Sequence, residues 1–136
     1  MPPTSKRPPA SLADLPAHIV AARSALDIDQ LRRWAEEAGQ RFVLADLSAC
    51  DDRKAVLREL GRAFAFPDWY GANLDALYDC LTDLAEPGAA GLVVVLDHLP
   101  RSPRFDNDQR ARLLDVFRDA LEPFAEVGVP LRVYYR

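Results

Sequence analysis

The chain alternates short apolar runs with longer stretches in which apolar residues recur every three or four positions. Four of the short runs are rich in β-branched and aromatic residues, which is typical of strands. These predicted strands cover residues 18–22, 41–47, 92–96 and 131–135. The third run, LVVVL, is apolar on both faces, so we expect it at the centre of a parallel sheet with helices on both sides.

The stretches between these runs predict helices with an apolar stripe. Asp29 is the expected cap of the first helix, and Asp106 or Asn107 that of the last. The predicted helices cover residues 30–38, 52–63, 73–84 and 107 to about Leu121. The resulting order, β-α-β-α-α-β-α-β, predicts an α/β fold in which a small parallel β-sheet of three to four strands is packed with helices.

The chain has 136 residues, enough for one domain with a core but few for two. Residues 1–12 hold four of the eleven prolines and little to bury, so we expect a disordered Pro-rich tail there. Residues 13–40 are expected to form an N-terminal β-α extension, and residues 41–136 the main domain.

Composition excludes several classes of protein. Hydrophobic residues make up 49% of the chain and charged residues 28%, which are globular values. The chain lacks both an apolar run of membrane-spanning length and the apolar stretch of a secretory signal, so we expect a cytoplasmic protein with no membrane partner. Cys50 and Cys80 fit neither a disulfide framework nor a zinc site, so we expect reduced thiols, no metal and no cofactor.

Charge is distributed unevenly along the chain, whose net charge is −4. Residues 63–100 contain six of the 21 acidic residues and none of the 17 basic ones. The other 15 acids are close to balanced by the bases. Such a block favours a cationic partner and disfavours direct binding of nucleic acid, which needs clustered Lys and Arg.

The acidic block contains an amphipathic helix, for which Asn73 is the expected N-cap. Its buried stripe is expected to consist of Leu74, Leu77, Leu81 and Leu84. Three aspartates are centred about half a turn away from these leucines, and two further side chains lie along the edge of the aspartate stripe. The exposed face is therefore expected to consist of Asp75, Tyr78, Asp79, Thr82 and Asp83.

An acidic helix face can simply be the solvated side of an amphipathic helix. Here, however, the placement of the charges destabilises the helix, which favours a binding partner that neutralises them. Like charges four residues apart destabilise a helix by roughly 0.2–0.5 kcal/mol per pair, and the three aspartates make two such pairs. Asp83 lies near the negative C-terminal end, where a carboxylate is also unfavourable. A nuclease cleft, which is built to hold phosphates, would supply the compensating Arg, Lys and His side chains.

The segment WYGANLDALYDCLTDL, which begins at Trp69, closely resembles the signature of the barstar family, the intracellular inhibitors of barnase-like ribonucleases. The resemblance extends more weakly from Phe42 through LVVVL to VFRDA at residues 116–120 and the last strand. It implies a barstar-like fold for residues 41–136. It also implies that the acidic helix and the loop before it cover a ribonuclease active site.

The resemblance implies roles for individual residues. Asp79 matches the family's principal acidic contact. Asp75, Thr82 and Asp119 match further contact positions. Trp69 and Tyr78 match two aromatic contact positions, at each of which the best known member carries the other of the two residue types, Tyr or Trp. Asn73 is included in this partner-binding set, although its main expected role is the helix cap. Asp83 is either an added contact or a solvated helix end.

The expected function is that of an inhibitor that competes with RNA for a barnase-like ribonuclease in a 1:1 complex. An alternative gives the same acidic face a different toxin or cationic regulatory partner, for which the chain would be an antitoxin or immunity protein. Four departures from the best known member leave the target open. Ala72 replaces an acid, Asp83 a glycine and Leu84 a tryptophan, and about 40 residues precede the family's first strand.

Catalysis would have to rest on Asp97 and His98, because they follow a predicted strand whose end could bind a ligand. The chain has no GxSxG, no HExxH and no Gly-rich phosphate loop, and its other histidine is the distant His18. We therefore expect that the protein is not an enzyme.

Overall fold

The computed structural model describes residues 8–136, which form a four-stranded parallel sheet between helices. The strands are β1 (Ile19–Ala22), β2 (Arg41–Asp46), β3 (Leu92–Asp97) and β4 (Leu131–Tyr135). The helices are α1 (Ile28–Glu37), α2 (Arg53–Phe64), α3 (Leu74–Thr82) and α4 (Asn107–Glu126). The α/β class and the order of elements are those predicted.

The strands are arranged in the order β1-β4-β3-β2. β3 lies inside the sheet, with Val94 opposite Val43 of β2 on one side and Val133 of β4 on the other. Every residue of β3 is buried, as expected for a parallel strand that is covered on both faces. The predicted central position of this strand is confirmed.

Successive side chains of a strand point to opposite faces, so the sheet supports two cores. On one face, α2, α3 and α4 pack against alternate strand residues that include Val94. On the other face, Leu31 and Ala35 of α1 pack against Val93 and Val95. The N-terminal segment therefore shields one face of the sheet, while the remaining helices cover the other.

Residues 1–7 of the tail that was predicted at residues 1–12 lie outside the described part of the chain. Closer to the first strand, the chain makes a single 3-10 turn at Leu12–Asp14, in which Leu12 is 3% exposed and packs in the second core. The buried Arg132 of β4 donates a hydrogen bond to the carbonyl oxygen of Leu15 (2.9 Å), just after this turn. Leu12 thus belongs to the packed structure although it falls in the range expected to be disordered.

The cap of α1 differs from the prediction. The helix begins two residues earlier than expected, after Asp27, whose carboxylate accepts a hydrogen bond from the backbone amide of Gln30 (3.0 Å). Asp29 is instead a first-turn residue that pairs with Arg32. Either aspartate could satisfy the free amides of a helix start, and sequence alone did not separate them.

The end of α4 also differs. Asp106 caps the helix, one of the two predicted caps, but the helix passes the expected end at Leu121 and continues through Pro123 to Glu126. Phe124 is fully buried, and its packing offsets the backbone hydrogen bond that a proline cannot donate.

Among the described residues, no helix has both the length and the apolar character needed to cross a membrane.

The C-terminal end of α2 yields a prediction about stability. Ala65 follows the helix with a left-handed φ of 57°. Because glycine adopts this conformation without the steric cost of a Cβ atom, we expect Ala65→Gly to raise the free energy of unfolding by about 1 kcal/mol in urea titrations. Ala63→Gly, inside α2, is the control and should lower it by at least about 1 kcal/mol. Destabilisation by both substitutions would contradict the expected relief of strain.

Candidate functional site

α3 is held against the core by the residues at the middle of its apolar side. Leu77 and Leu81 have no exposed surface, and Cys80 is 2% exposed. Leu74 and Leu84 lie at the two ends and are only partly buried, so the predicted leucine stripe is fully buried at its centre alone. Full burial of a leucine contributes about 1.5–3 kcal/mol, and two such residues fix the rotation of the helix about its axis.

The ends of α3 agree with the prediction at one side and differ at the other. Asn73 is the N-cap, and its side-chain oxygen accepts a hydrogen bond from the Ala76 amide (2.8 Å). The helix ends at Thr82, two residues earlier than predicted, and Asp83 is its C-cap. The next two amides bond carbonyls three residues back, which tightens the last turn. Asp83 therefore lies at the negative end of the helix.

Acidic side chains of α3 and α4 line one open groove. Asp75 and Asp79 contribute from α3, and Asp119 and Glu122 from α4. All four are exposed. Arg118 also lines the groove, but its guanidinium is paired at 3.0 Å with an aspartate one turn earlier on α4. The groove presents an excess of carboxylates to solvent.

The aspartates of this surface are not neutralised by basic side chains within residues 8–136. No Lys, Arg or His side chain in that range lies within ion-pair distance of the three aspartates of the α3 segment or of Asp119. The predicted outward orientation of Asp75, Asp79 and Asp83 is confirmed by their exposure.

Burial, with Asp83 and Asp79 as weaker causes, raises the pKa of the Cys80 thiol, which favours its protonated form.

Tyr78 and Thr82 contribute less to the exposed face than the sequence predicted, because both are partly buried. The Thr82 hydroxyl turns back onto its own helix, where it contacts the carbonyl oxygens of Tyr78 (3.0 Å) and Asp79 (3.1 Å). A threonine near the end of a helix can satisfy its hydroxyl in this way. Tyr78 remains beside the aspartates in the lining of the acidic groove.

The loop before α3 is fixed by aromatic packing that the sequence reasoning missed. Phe66 stacks on Phe64 with ring centroids 4.9 Å apart and meets the ring of Tyr70 at 5.0 Å. The Tyr70 hydroxyl donates a hydrogen bond to the carbonyl oxygen of Leu57 in α2 (2.7 Å), and burial raises the pKa of Tyr70 well above its ordinary value. The Tyr70 ring lies over Gly61, where a Cβ atom would be 2.6 Å away. The available signal was a glycine inside a helix.

Trp69 lies at the tip of this loop. It is 58% exposed, and no other large hydrophobic residue in the described part of the chain is exposed. This exposure excludes a core role for the tryptophan. Between it and α3, Ala72 has a left-handed φ of 51°, which is costly for a residue with a Cβ atom.

Comparison with known proteins identifies the family. Residues 40–136, the larger part of the chain, match the family model described as Barstar (barnase inhibitor). The chain belongs to the barstar family. It is also 40% identical over 82 residues to the Bacillus subtilis (strain 168) protein YrdF, which is named provisionally as a ribonuclease inhibitor. That match covers 60% of this chain and 87% of YrdF.

Barstar family proteins are inhibitors and not enzymes, so the predicted lack of catalysis is confirmed.

The two catalytic candidates, Asp97 and His98, lie in a cluster of structural contacts. The buried Asp97 accepts a hydrogen bond from Nε of Arg136 (2.7 Å), and Arg136 also donates to the carbonyl oxygen of Leu26 (3.1 Å). These contacts join the ends of β3 and β4 to the segment before α1. His98 is exposed, with Nδ1 3.4 Å from Asp46 and 3.5 Å from Asp97.

The contact between Gly61 and Tyr70 predicts an effect opposite to helix propensity. Alanine inside a helix is normally more stable than glycine by about 1 kcal/mol, but its Cβ atom would here displace the Tyr70 ring. We expect Gly61→Ala to lower the free energy of unfolding in the intact protein. In a Tyr70→Ala background the same substitution should raise it. Urea unfolding of the four proteins forms the double-mutant cycle, and stabilisation by Gly61→Ala in both backgrounds would refute this role of Gly61.

Proposed function

We propose that this barstar family protein inhibits a barnase-like ribonuclease by forming a 1:1 complex in which α3 and the loop before it occlude the active site. The observation that carries the proposal is the acidic groove between α3 and α4, whose carboxylates have no internal cationic partner in the described residues. A ribonuclease cleft has the complementary charge because it binds phosphates.

In this mechanism, carboxylates occupy the places of RNA phosphates. Asp79 lies near the middle of α3 and is the principal contact, with Asp75 one turn earlier and Asp119 across the groove. Charge-assisted hydrogen bonds to Arg or Lys are short and about twice as strong as those between neutral groups. RNA is excluded because the same cations cannot bind phosphate and carboxylate at once.

Trp69 and Tyr78 surround these ionic contacts. An exposed indole on a fixed loop can be buried on binding with little further loss of conformational freedom. Removing water around the carboxylates would strengthen their attraction to the ribonuclease cations. Asn73 acts through the start of α3, which it caps, and Thr82 and Asp83 lie at the far end of the contact surface.

Binding would also relieve the repulsion stored in α3. The aspartates are spaced four residues apart, and Asp83 faces the negative end of the helix. The core tolerates this cost because Leu77 and Leu81 are fully buried beneath it. Cations of a partner would remove the repulsion, so part of the binding energy comes from the unfavourable charge arrangement of the free inhibitor.

Truncation of the central carboxylate tests the proposal. We expect Asp79→Ala to weaken inhibition by at least about 2 kcal/mol, as for a buried interface hot spot, while leaving the unfolding curve nearly unchanged. Glu36→Ala, which removes an exposed acid from α1 on the opposite side of the sheet, is the matched control. The measurement is RNA cleavage by a panel of purified barnase-like ribonucleases, including barnase, titrated with each variant. Normal inhibition by Asp79→Ala would refute the assigned contact, and absence of inhibition by the unmodified protein across the panel would favour a different toxin.

Salt provides a separate test of charge steering. We expect the association rate constant with the inhibited ribonuclease to fall as NaCl rises from about 0.05 to 0.5 M, because added ions screen the attraction between the two surfaces. The dissociation rate should change much less. Stopped-flow measurement of tryptophan fluorescence gives both rates. An association rate that is the same at all salt concentrations would be inconsistent with an electrostatic encounter.

A further inference from the structure

A second charged surface lies on α2 and has the opposite sign from the acidic groove. Arg53, Lys54 and Arg58 are exposed, and no acid within residues 8–136 lies at ion-pair distance from any of them. Arg62, one turn further along, is different because it pairs with Glu59. The first three residues are here called the α2 cations.

The α2 cations are placed where they destabilise their own helix. Arg53 and Lys54 occupy the first turn of α2, which contains no acidic residue, so they face the positive end of the helix dipole. Lys54 and Arg58 are also like charges four residues apart. This arrangement is the mirror image of the aspartates on α3, and the same reasoning applies: charges placed against the stability of their helix favour a partner of opposite sign.

The surface of the α2 cations is continuous with the surface proposed to bind the ribonuclease. Arg53 and Lys54 line an open groove that reaches Leu74 and Asp75 at the start of α3, and these two α3 residues also line the acidic groove. Lys54 and Arg58 line a second open groove beside the loop that carries Trp69. A protein that covers α3 and this loop would therefore extend over the α2 cations.

We infer that the α2 cations bind carboxylate side chains of the same ribonuclease, on the rim next to its active site. The inference rests on the proposed function and makes it more specific: the target is an enzyme with a basic cleft and an acidic patch beside it. A uniformly basic enzyme would be attracted by the acidic groove but repelled by α2. The α2 cations would then select among related ribonucleases, because a like-charge contact disfavours the wrong partner.

Carboxylates of a protein fit this surface better than an RNA backbone. Asp52 and Asp75 line the groove with Arg53 and Lys54, and Asp68 lines the groove with Lys54 and Arg58. A continuous row of phosphates would meet these acids as well as the cations. Separate Asp and Glu side chains of a folded partner can contact the cations and avoid the acids.

Reversal of one α2 cation in the full chain tests the inference. We expect Arg58→Glu to weaken binding to the inhibited ribonuclease at least about tenfold, mainly through a slower association, and Lys54→Glu to act in the same direction. Arg33→Glu is the matched control, because Arg33 is also an exposed helix arginine with no ion-pair partner within residues 8–136, but lies on α1, on the other side of the sheet. It should bind equally well or slightly faster, since the added negative charge faces no acid of the target. Circular dichroism and urea unfolding establish that each variant is folded.

The opposite sign of effect would overturn the inference. If the ribonuclease is uniformly basic around its cleft, Arg58→Glu should bind it as fast as, or faster than, the unmodified protein. Replacing Asp and Glu residues of the ribonuclease rim by Lys, one at a time, should include one change that restores binding of Arg58→Glu. Binding of a labelled RNA oligonucleotide by the unmodified protein but not by Arg58→Glu would instead assign the surface to nucleic acid. Normal inhibition with an unaffected Arg58→Glu variant refutes this inference alone, whereas absence of inhibition by the unmodified protein refutes the proposed function as well.

Discussion

The burial of Leu77 and Leu81 is the interaction on which the acidic surface depends. A helix of nine residues has little stability of its own, so its position and rotation come from packing. With these two side chains in the core, the opposite side of α3 must face solvent, and the aspartates occupy that side. The cap at Asn73 then fixes where the helix begins. Loss of the packing of Leu77 and Leu81 would change the orientation of all the carboxylates on α3.

The same sheet lets the protein tolerate charges that disfavour its helices. α2 and α3 both carry like charges four residues apart, and both place charge at the wrong end of the helix dipole. The cost is small beside the apolar burial on the two faces of the sheet. One of those faces is covered by α1, outside the segment that matches the barstar family model. The N-terminal segment therefore contributes core packing far from the charged surfaces.

Much of the fold followed from sequence because its signals are local. The apolar run of β3, the alternation of elements and the Asn73 cap all depend on residues close together in the chain, and the structure agrees with them. The predicted limits of α1 and α4 were wrong for two reasons. Asp27 and Asp29 are the same type of residue, so residue type alone does not decide which of them caps α1. The continuation of α4 through Pro123 depends on the burial of Phe124, which is a tertiary effect.

The site was predictable to the extent that helical spacing determines it. The aspartates of α3 were placed correctly because their spacing decides which way they point, whereas the inward turn of the Thr82 hydroxyl depends on the end of the helix and was missed. The contact of Tyr70 with Gly61 joins two elements, and no periodicity reports it. The sequence predicted α2 only as a helix with an apolar stripe, and the α2 cations lie on the polar side of that helix. Only the grooves that join them to α3 show that they adjoin the acidic surface.

Charges of both signs around one loop have a consequence for how a target could be chosen. The acidic groove alone would attract any enzyme that binds phosphates, so it can provide affinity and rapid encounter but little discrimination. Discrimination requires a feature that a wrong enzyme lacks, and cations next to an acidic groove are such a feature because they penalise an evenly basic surface. Trp69 lies on the loop beside the groove lined by Lys54 and Arg58, where it can be buried only if the partner fits the surface around it. Affinity and choice of partner would thus come from adjacent but different parts of the same face.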